Sequence, residues 1–391
     1  MERDNLLYWL WLSLCFPPGS HRLVKILAHY TPFELYQLRQ QEDCGLSQQD
    51  LARIRSISLE RAQAVLTDCE RRGVSLLTLE DDGYPQRLLH IPGPPPVLYF
   101  QGNPDNLNAE LVISVVGTRR VMPYYREITT EITRLLAEAG IVIVSGCAVG
   151  CDEAAHQGAL LARNGRTVGV LACGFGVNYP QETLRLRERM LEQGGTLISE
   201  LPPMTGTSRH YFATRNRLIS GLSTGVLLSQ VPVGSGALLT ARHALEQGRD
   251  LYCLPPCDIR NPACLGVADL LRDGIQVVCG AGEILSDCLA LLERKIPVHS
   301  SSAVIKKGSP RQKQAVPEIL KPRPVPLKPV EELSELQQKL LELLENPRYL
   351  EELSLLLSVD TGTVMGAMTE LEMLGYLCRL ENGLQFQRVN G

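Results

Sequence analysis

Long apolar runs are missing from this sequence: no segment approaches the roughly 20 apolar residues that a membrane-spanning helix needs. The beginning of the chain, MERDNLLYWLWLSLCFPPGS, also lacks the basic start of a secretory signal and carries Glu2 and Asp4. We therefore expect a cytoplasmic protein with no membrane association.

Metal-binding cysteine pairs are missing as well. The twelve cysteines include no CxxC pair. Cys147 and Cys151 are four positions apart, as are Cys253 and Cys257, and no His or Cys motif stands near either pair. We expect no bound metal and no cofactor, and most of the cysteines should be small buried hydrophobes, as is usual inside cells.

The third absence is an excess of positive charge. The formal net charge of −4 at pH 7 argues against a protein that is basic over its whole surface, but it leaves room for a local basic groove. The length of 391 residues is too great for one simple core, so two or three domains are expected.

The first 72 residues predict a small helical domain, in which Pro and Gly turns separate short helices. The predicted helices are Leu6–Leu14, His21–His29, Pro32–Leu38, Gln48–Arg55 and Leu59–Arg72. Residues 73–108 alternate strand-like runs with Pro and Gly, which is typical of a connector held against the next domain.

Strand, turn and helix then alternate through residues 109–295. The predicted strands are Leu111–Val116, Ile141–Val144, Thr167–Leu171, Thr196–Ser199, Gly225–Leu228, Leu251–Leu254 and Ile275–Val278. Helix-length amphipathic segments such as Tyr124–Ala139 and Ala237–Gln247 lie between most of them. This alternation predicts an α/β domain with a doubly wound parallel sheet.

The predicted linker, residues 296–331, is polar and rich in proline, and only one acid, Glu318, accompanies the basic residues of its 297–329 stretch. Those basic residues are Lys306, Lys307, Arg311, Lys313, Lys321, Arg323 and Lys328. Such a composition favours a flexible, extended segment. Residues 332–391 predict three helices and a hairpin, the pattern of a winged helix.

Three turns that follow predicted strands have the chemistry of an anion site. They are 117–120 after the first strand, 145–150 after the second, and 234–236 after the strand at 225–228. In an open α/β sheet such turns lie at the carboxyl edge, where small residues let backbone amides approach a ligand and helix N-termini favour an anion. Together they predict a row of phosphates, although one glycine in one such turn is common for conformational reasons alone.

The segment YFATRNRLISGLS, residues 211–223, supports the same interpretation. It combines two aromatic side chains with Arg215, Asn216 and Arg217, a mixture suited to base stacking beside a phosphate track. The structural alternative is that Phe212 and Ile219 simply pack a helix onto the sheet.

Five stretches of the chain together resemble the DNA-processing protein A family, called DprA or Smf: VVGTRR, SGCAVGCDEAAHQGAL, NYP, FATRNRLISGLS and SGALLTARHALEQGRDLYCLPP. The resemblance covers nearly the whole chain. It implies an N-terminal helical domain like a SAM or helix-hairpin-helix module, an extended Rossmann-like domain and a C-terminal winged helix. It further implies sequence-independent binding of single-stranded DNA, delivery of that strand to the recombinase RecA, a homodimer, and a part in natural transformation.

The DNA contacts that the resemblance implies belong to the three turns and to the segment 211–223. They are Gly117, Thr118, Arg119, Ser145, Gly146, Ala148, Gly150, Asp152, Phe212, Arg215, Asn216, Arg217, Ser235 and Gly236. Asp152 and His156 are expected to fix the geometry of the turn rather than to meet an anionic strand, because an acid near a helix N-terminus satisfies free amides.

The chain departs from the family pattern at several positions. Val149 stands where arginine is usual, the acid expected near Gln230 is absent, Gly234 stands where arginine is frequent, and Leu265 with Ala268 replace a common Arg and Asn. Losing charged phosphate contacts should weaken DNA binding and flatten its salt dependence.

The competing class is an enzyme. The related nucleotide phosphoribohydrolases of the LOG type carry P-G-G-x-G-T-x-x-E, in which the Glu assists N-glycosidic cleavage, and here the segment starting at Pro232 has Thr240 in place of that acid. General acid–base catalysis then has no evident agent. GxSxG, Walker and HExxH motifs are also absent. We expect a binding protein without catalytic residues.

The presumed recognition helix of the winged helix is acidic. The sequence VDTGTVMGAMTELEMLGY carries Asp360, Glu370 and Glu372 and no Lys or Arg. A DNA groove would repel such a helix, so this domain is expected to contact protein instead.

Overall fold

A computed structural model describes residues 3–41, 46–295, 333–344, 348–357, 359–373, 376–379 and 385–388. The chain divides into two units, residues 1–299 and 300–391. The predicted linker 296–331 lies outside the described residues. No helix among the described residues is both long enough and apolar enough to cross a membrane.

Five short helices open the first unit. They are α1 Arg3–Cys15, α2 His21–Leu27, α3 Pro32–Leu38, α4 Gln48–Ser56 and α5 Leu59–Arg71. Side-chain caps explain where four of them begin, since a hydroxyl at each start accepts a backbone amide hydrogen bond; the caps are Ser20, Thr31, Ser47 and Ser58. The five predicted helices are confirmed. Their apolar faces pack around the buried Trp11, and Val97 and Tyr99 of the sheet join the same core.

Nine strands form one sheet. They are β1 Ser75–Thr78, β2 Val97–Gly102, β3 Val112–Val116, β4 Val142–Ser145, β5 Thr167–Val170, β6 Thr196–Ser199, β7 Gly225–Leu228, β8 Asp250–Cys253 and β9 Gln276–Val277. Their order is β1-β2-β6-β5-β4-β3-β7-β8-β9. Strands β3 to β9 pair in parallel and include all seven strands predicted for the α/β domain.

The nine-stranded sheet as a whole is mixed, because residues 73–108 add two antiparallel strands to the seven parallel strands predicted for the α/β domain. Strand β2 pairs antiparallel with β6, and β1 pairs antiparallel with β2. Residues 73–108 therefore do more than connect: they extend the sheet beyond β6 and cover the row of backbone groups that β6 would otherwise expose as an edge. Burial of β2 residues 97–100 on both faces is consistent with this interior position.

Helices cover both faces of the sheet. They are α6 Gln86–Leu89, α7 Pro123–Glu138, α8 Cys151–Leu161, α9 Leu184–Glu192, α10 Arg209–Leu222, α11 Ala237–Glu246, α12 Ala268–Arg272 and α13 Ala281–Lys295. Successive residues of β4 alternate between two cores, with Val142 and Val144 facing α10 and α11 and Ile143 facing α7 and α8. This is the doubly wound, Rossmann-like α/β fold that the sequence predicts.

The second unit contains three helices and a small antiparallel sheet. Its elements are α14 Glu335–Leu343, β10 Arg348–Tyr349, α15 Leu350–Leu357, α16 Thr361–Met373, β11 Leu377–Arg379 and β12 Gln385–Arg388, with β12 central in the sheet. Within this unit Asp360 accepts the Thr363 amide at 3.0 Å, and Glu370 accepts a hydrogen bond from the Gln337 side chain at 2.7 Å. The assignment of this unit as a winged helix stays a prediction.

Candidate nucleic-acid interface

A groove of about 550 Å³ lies at the carboxyl edge of the large sheet. Strands β3 and β7 are neighbours there, at the point where the helical crossovers change from one face of the sheet to the other. An open α/β sheet forms its ligand crevice at such a switch point. Turn 117–120 after β3 and turn 232–236 after β7 line the groove, residues 148 and 152 reach it from the β4–α8 turn, and α10 forms a further wall.

Ten of the fourteen predicted contact residues line this groove. They are Gly117, Thr118, Arg119, Ala148, Asp152, Phe212, Arg215, Asn216, Ser235 and Gly236. Gly146 lies in an adjoining cavity of about 220 Å³, which shares Arg119, Ala148 and Phe212 with the groove. Ser145, Gly150 and Arg217 line neither space.

Arg119 and Phe212 meet at the wall shared by the groove and the smaller cavity. Arg119 is exposed, and its guanidinium carbon lies 4.8 Å from the centre of the Phe212 ring, a cation–π distance. Its Nη1 also donates to the Tyr179 hydroxyl at 3.3 Å, and the rings of Tyr179 and Phe212 pack edge to face at 5.8 Å. A cation and two aromatic surfaces are thereby held side by side.

Arg215 is buried and holds the turn after β4. Its Nη1 donates to the Gly146 carbonyl oxygen at 2.7 Å and also to the Val170 carbonyl oxygen. Burial lowers the pKa of Arg215, while the carboxylate of Asp152 works in the opposite direction. Burial likewise raises the pKa of Asp152, and Arg215 draws it back. Arg215 therefore lines the groove and supports the turn at the same time.

Close approach explains two glycines of the SGCAVG stretch. A Cβ atom at Gly146 would stand 2.5 Å from Nη1 of Arg215, so a side chain there would have to displace this guanidinium from its place. Gly150 has a φ of 91°, and a Cβ atom on it would stand 2.4 Å from the carbonyl oxygen of Thr118. That carbonyl accepts the Cys151 amide at 3.1 Å, which joins the turns after β3 and β4. These glycines shape the groove without lining it.

Asp152 and His156 both fix the turn, as expected from the sequence. Oδ2 of Asp152 accepts the Ala148 amide at 3.3 Å. His156 is fully buried, with Nδ1 2.7 Å from the Thr167 hydroxyl and Nε2 3.6 Å from the Cys147 sulfur. Burial lowers the pKa of His156 to about 3, so the ring is neutral near pH 7 and serves as a structural bridge.

Arg217 points away from the groove, unlike the placement implied by the family resemblance. Its Nη2 contacts both carboxylate oxygens of Glu200 at 2.5 Å, and each of these side chains is only 7% exposed. The Gly19 amide donates to the same carboxylate at 3.1 Å. Arg217 thus belongs to a buried junction between the N-terminal helices and the sheet. Its partner Glu200 was not singled out from the sequence, and no pattern signals this pairing.

The departures from the family pattern have defined surroundings. Gln230 is buried; its Oε1 accepts the Met122 amide at 2.7 Å and its Nε2 donates to the Ala263 carbonyl at 3.2 Å. A carboxylate in its place could not donate to Ala263. Gly234 occupies the exposed tip of its turn with a φ of 72°, and Val149 lines the smaller cavity.

The groove presents more exposed positive than negative charge. Its exposed cations are Arg119 and Arg120, and Arg120 is a lining residue missing from the contacts that the sequence predicts. The sequence signal for Arg120 was its position directly after Arg119 in the same turn. Asp152 is the sole carboxylate among the described residues that line the groove, and it is 7% exposed. Thr240, in the place of the phosphoribohydrolase acid, is buried at the base.

Comparison with known proteins agrees on one family. Residues 75–289 match the family model described as DNA recombination-mediator protein A. A Protein Smf from Synechocystis sp. is 31% identical over 342 residues, which cover 83% of this chain and 82% of that protein. The DNA processing protein DprA of Bacillus subtilis is 36% identical over 223 residues, covering 57% and 74%.

The fold comparison points the same way. The X-ray structure of DNA processing protein A (DprA) from Streptococcus pneumoniae matches with a TM-score of 0.62 and 27% identity, over 73% of this chain and 97% of that one. The family model matches more than half of the chain, and the Synechocystis relative is 31% identical over 83% of it. The chain therefore belongs to the DNA recombination-mediator protein A family, known as DprA or Smf.

Proposed function

We propose that this protein binds single-stranded DNA in the groove at the carboxyl edge of its sheet, without sequence preference. The observation that carries the proposal is the contact of Arg119 with Phe212, which sets an exposed cation against an aromatic ring at the wall of the groove. Proteins that bind single strands non-specifically combine these two features, a charged backbone track and an aromatic platform for bases. The names of the relatives, which refer to DNA processing, agree with this role.

In the proposed complex, phosphates lie along Arg119, Arg120 and the turn that leads into α11. Bases stack on Phe212 and Tyr179 beside the shared wall. Asn216, a side chain that could read a base edge, already lies with its Nδ2 3.4 Å from the Gly236 carbonyl oxygen. Contacts to phosphates and ring faces carry no sequence information, so all sequences should bind alike.

The finer role that we propose follows the family resemblance: the protein protects incoming or recombining single strands and delivers them to a RecA-type recombinase, as a homodimer, during transformation. We propose a binding protein rather than an enzyme, because Thr240 and the buried Asp152 leave the groove without an exposed acid for hydrolysis.

The DNA-binding proposal is tested by fluorescence anisotropy with mixed-sequence single strands and with duplexes over a range of salt concentrations. We expect Arg119→Ala to weaken single-strand binding by about tenfold, as for the loss of a charge-assisted contact, and to reduce the salt slope by about 0.7. Arg163→Ala is the matched control, because Arg163 is exposed and follows α8 at the opposite edge of the sheet. Equal affinities of the two variants at every salt concentration would place the DNA elsewhere.

Delivery to the recombinase requires a separate measurement. We expect the protein to shorten the lag of RecA filament assembly on single strands that are already coated with single-strand-binding protein, and Arg119→Ala to lose this effect in step with its DNA affinity. A protein that binds the strand normally but leaves the lag unchanged would retain the DNA-binding proposal and end the delivery proposal.

A further inference from the structure

Two cysteine sulfurs touch in the loop between β8 and α12. The Sγ atoms of Cys257 and Cys264 are 3.7 Å apart, and both residues are free thiols. Cys257 is exposed, whereas Cys264 is buried. A disulfide bond would need the two sulfurs to approach to about 2.05 Å. The pair is therefore in contact, unbonded, and accessible to solvent from one side.

The loop holds both cysteines at fixed backbone positions. Two successive turns fold it back on itself, since the Asn261 amide donates to Asp258 at 3.2 Å and the Cys264 amide donates to Asn261 at 2.9 Å. The Tyr125 hydroxyl accepts the Cys257 amide at 2.9 Å. On the far side the Cys264 sulfur lies 3.9 Å from the sulfur of Met122. The sulfurs are thus brought together by a folded loop rather than by chance contact of mobile side chains.

We propose that Cys257 and Cys264 are a reversible disulfide site, formed by exchange with a small disulfide such as oxidised glutathione. The exposed Cys257 thiolate attacks one sulfur of the small disulfide and releases one thiol. Cys264 then loses its proton, and its thiolate attacks the Cys257 sulfur and releases the second thiol. The two protein thiols are oxidised, and the small disulfide is reduced to two thiols.

The order of these steps follows from exposure. Burial raises the pKa of the Cys264 thiol, so this residue is the poorer first nucleophile, while Cys257 faces solvent. An exposed disulfide in a short loop is also open to attack by external thiols, which makes the bond labile. Disulfides of this kind in reducing compartments act as transient or sensing bonds rather than as permanent staples.

The site is connected to the groove through backbone hydrogen bonds. The carbonyl of Pro262, between the two cysteines, accepts the Val233 amide at 3.1 Å, and the Gly266 amide donates to Val231 at 2.8 Å. Residues 231–233 begin the glycine-rich turn that lines the groove. A disulfide between Cys257 and Cys264 therefore holds the loop closed. Through these two hydrogen bonds it also restricts local opening of residues 231–233, which support the turn.

The chemistry is tested by incubating the reduced full chain with oxidised glutathione and measuring intact mass and cross-linked peptides. We expect the wild type to yield a cross-linked peptide that joins residues 257 and 264 and is two hydrogens lighter than its two reduced halves, whatever glutathione Cys279 takes up. Cys264→Ser should stop at one glutathione on Cys257. Cys279→Ser is the matched control, because Cys279 is the other exposed cysteine among the described residues, and it should still form the cross-link.

Hydrogen exchange tests the connection to the groove. We expect hydrogen exchange at the Val233 and Gly266 amides to be slower by at least about threefold in the cross-linked wild type than in the reduced protein. Cys257→Ser should show no such change. Stable glutathione on wild-type Cys257 without a cross-link would overturn the disulfide site, and a cross-link that leaves both exchange rates unchanged would overturn its coupling to the groove.

Discussion

Two arginines of α10 illustrate how one helix contributes to two different structures. Arg215 faces the groove and supports the turn after β4, whereas Arg217, two residues later, is buried against Glu200 and the Gly19 loop. Successive residues of an α-helix are rotated by about 100°, so positions two apart point in nearly opposite directions. Residues of the same type in one short motif therefore serve two purposes: one wall of a binding groove and one buried junction.

The two arginines also differ in what surrounds them. Burial of an ion pair is costly. The Arg217–Glu200 pair lines neither the groove nor the smaller cavity, whereas Arg215, which is equally buried, lines the groove beside Asp152. The groove side of α10 should thus govern DNA affinity, and the junction side should govern stability. Four substitutions separate these two effects.

The largest effect is expected from Arg217→Ala. It leaves the Glu200 carboxylate buried without its cation, which should lower the free energy of unfolding by about 3–5 kcal/mol, measured by urea denaturation. Single-strand affinity of the folded variant should stay close to that of the wild type. The double variant Glu200→Gln/Arg217→Met, which removes both charges, should recover more than half of the loss. If the folded Arg217→Ala protein shows a reduced salt slope for DNA binding, Arg217 contacts the DNA and is not only structural.

The same variant gives a pH signature. Burial already raises the pKa of Glu200 in the wild type, despite the opposing effect of Arg217. A carboxyl whose folded pKa is raised contributes stability at low pH and loses it as the pH rises through the folded value. Removing the cation raises that pKa further, so the destabilisation should be larger at about pH 8 than at about pH 5. A loss that is independent of pH would contradict the buried ion pair.

Arg215→Ala should produce an intermediate effect on both properties. It removes the hydrogen bonds to Gly146 and Val170 and the cation beside Asp152, so we expect the free energy of unfolding to fall by about 2–3 kcal/mol. Single-strand affinity should also fall, because the turn after β4 shapes the groove. Arg215→Lys keeps the charge but lacks the planar guanidinium and its further donors, and should recover only part of each loss. If Arg215→Ala lowers the stability but leaves single-strand affinity unchanged, Arg215 has a structural role only.

Phe212→Leu should affect binding alone. Loss of the aromatic face is expected to weaken single-strand binding by about 1–3 kcal/mol, in the range measured for base stacking, and to leave the salt slope unchanged because no charge is removed. Phe212→Tyr keeps the ring and is the control. Anisotropy titrations at several salt concentrations distinguish this pattern from that of Arg119→Ala. Wild-type affinity in the Leu variant would assign Phe212 to packing of α10, the structural alternative considered from the sequence.

The smallest change is the gain expected from Val149→Arg. Val149 lines the smaller cavity beside Arg119, so an arginine there could add one charge-assisted phosphate contact. We expect single-strand binding to tighten by about 1–2 kcal/mol and the salt slope to become steeper. Val149→Gln, which adds length without charge, is the control. Unchanged affinity and slope would show that the strand does not pass this turn.

Much of the fold was predictable from local patterns. The seven strands β3–β9, the helical start of the chain and the turns at the carboxyl edge all follow from β-branched runs, capping residues and glycines near their ends. The antiparallel position of β1 and β2 was missed. Their residues read as strands, but the choice to pair with β6 depends on which edge of the sheet remains open, and that is a property of the assembled sheet.

What the sequence by itself determined is the set of elements and the chemistry of the turns that follow β3, β4 and β7. Only the tertiary structure decided how that chemistry is shared between the groove and the interior. Glu200 and Gly19, which meet in one hydrogen bond, are 181 positions apart. Local propensity acts over a few residues, whereas burial of a charge is settled by the partners that the folded chain brings to it, and this is why Arg217 could be recognised as structural only in the folded protein.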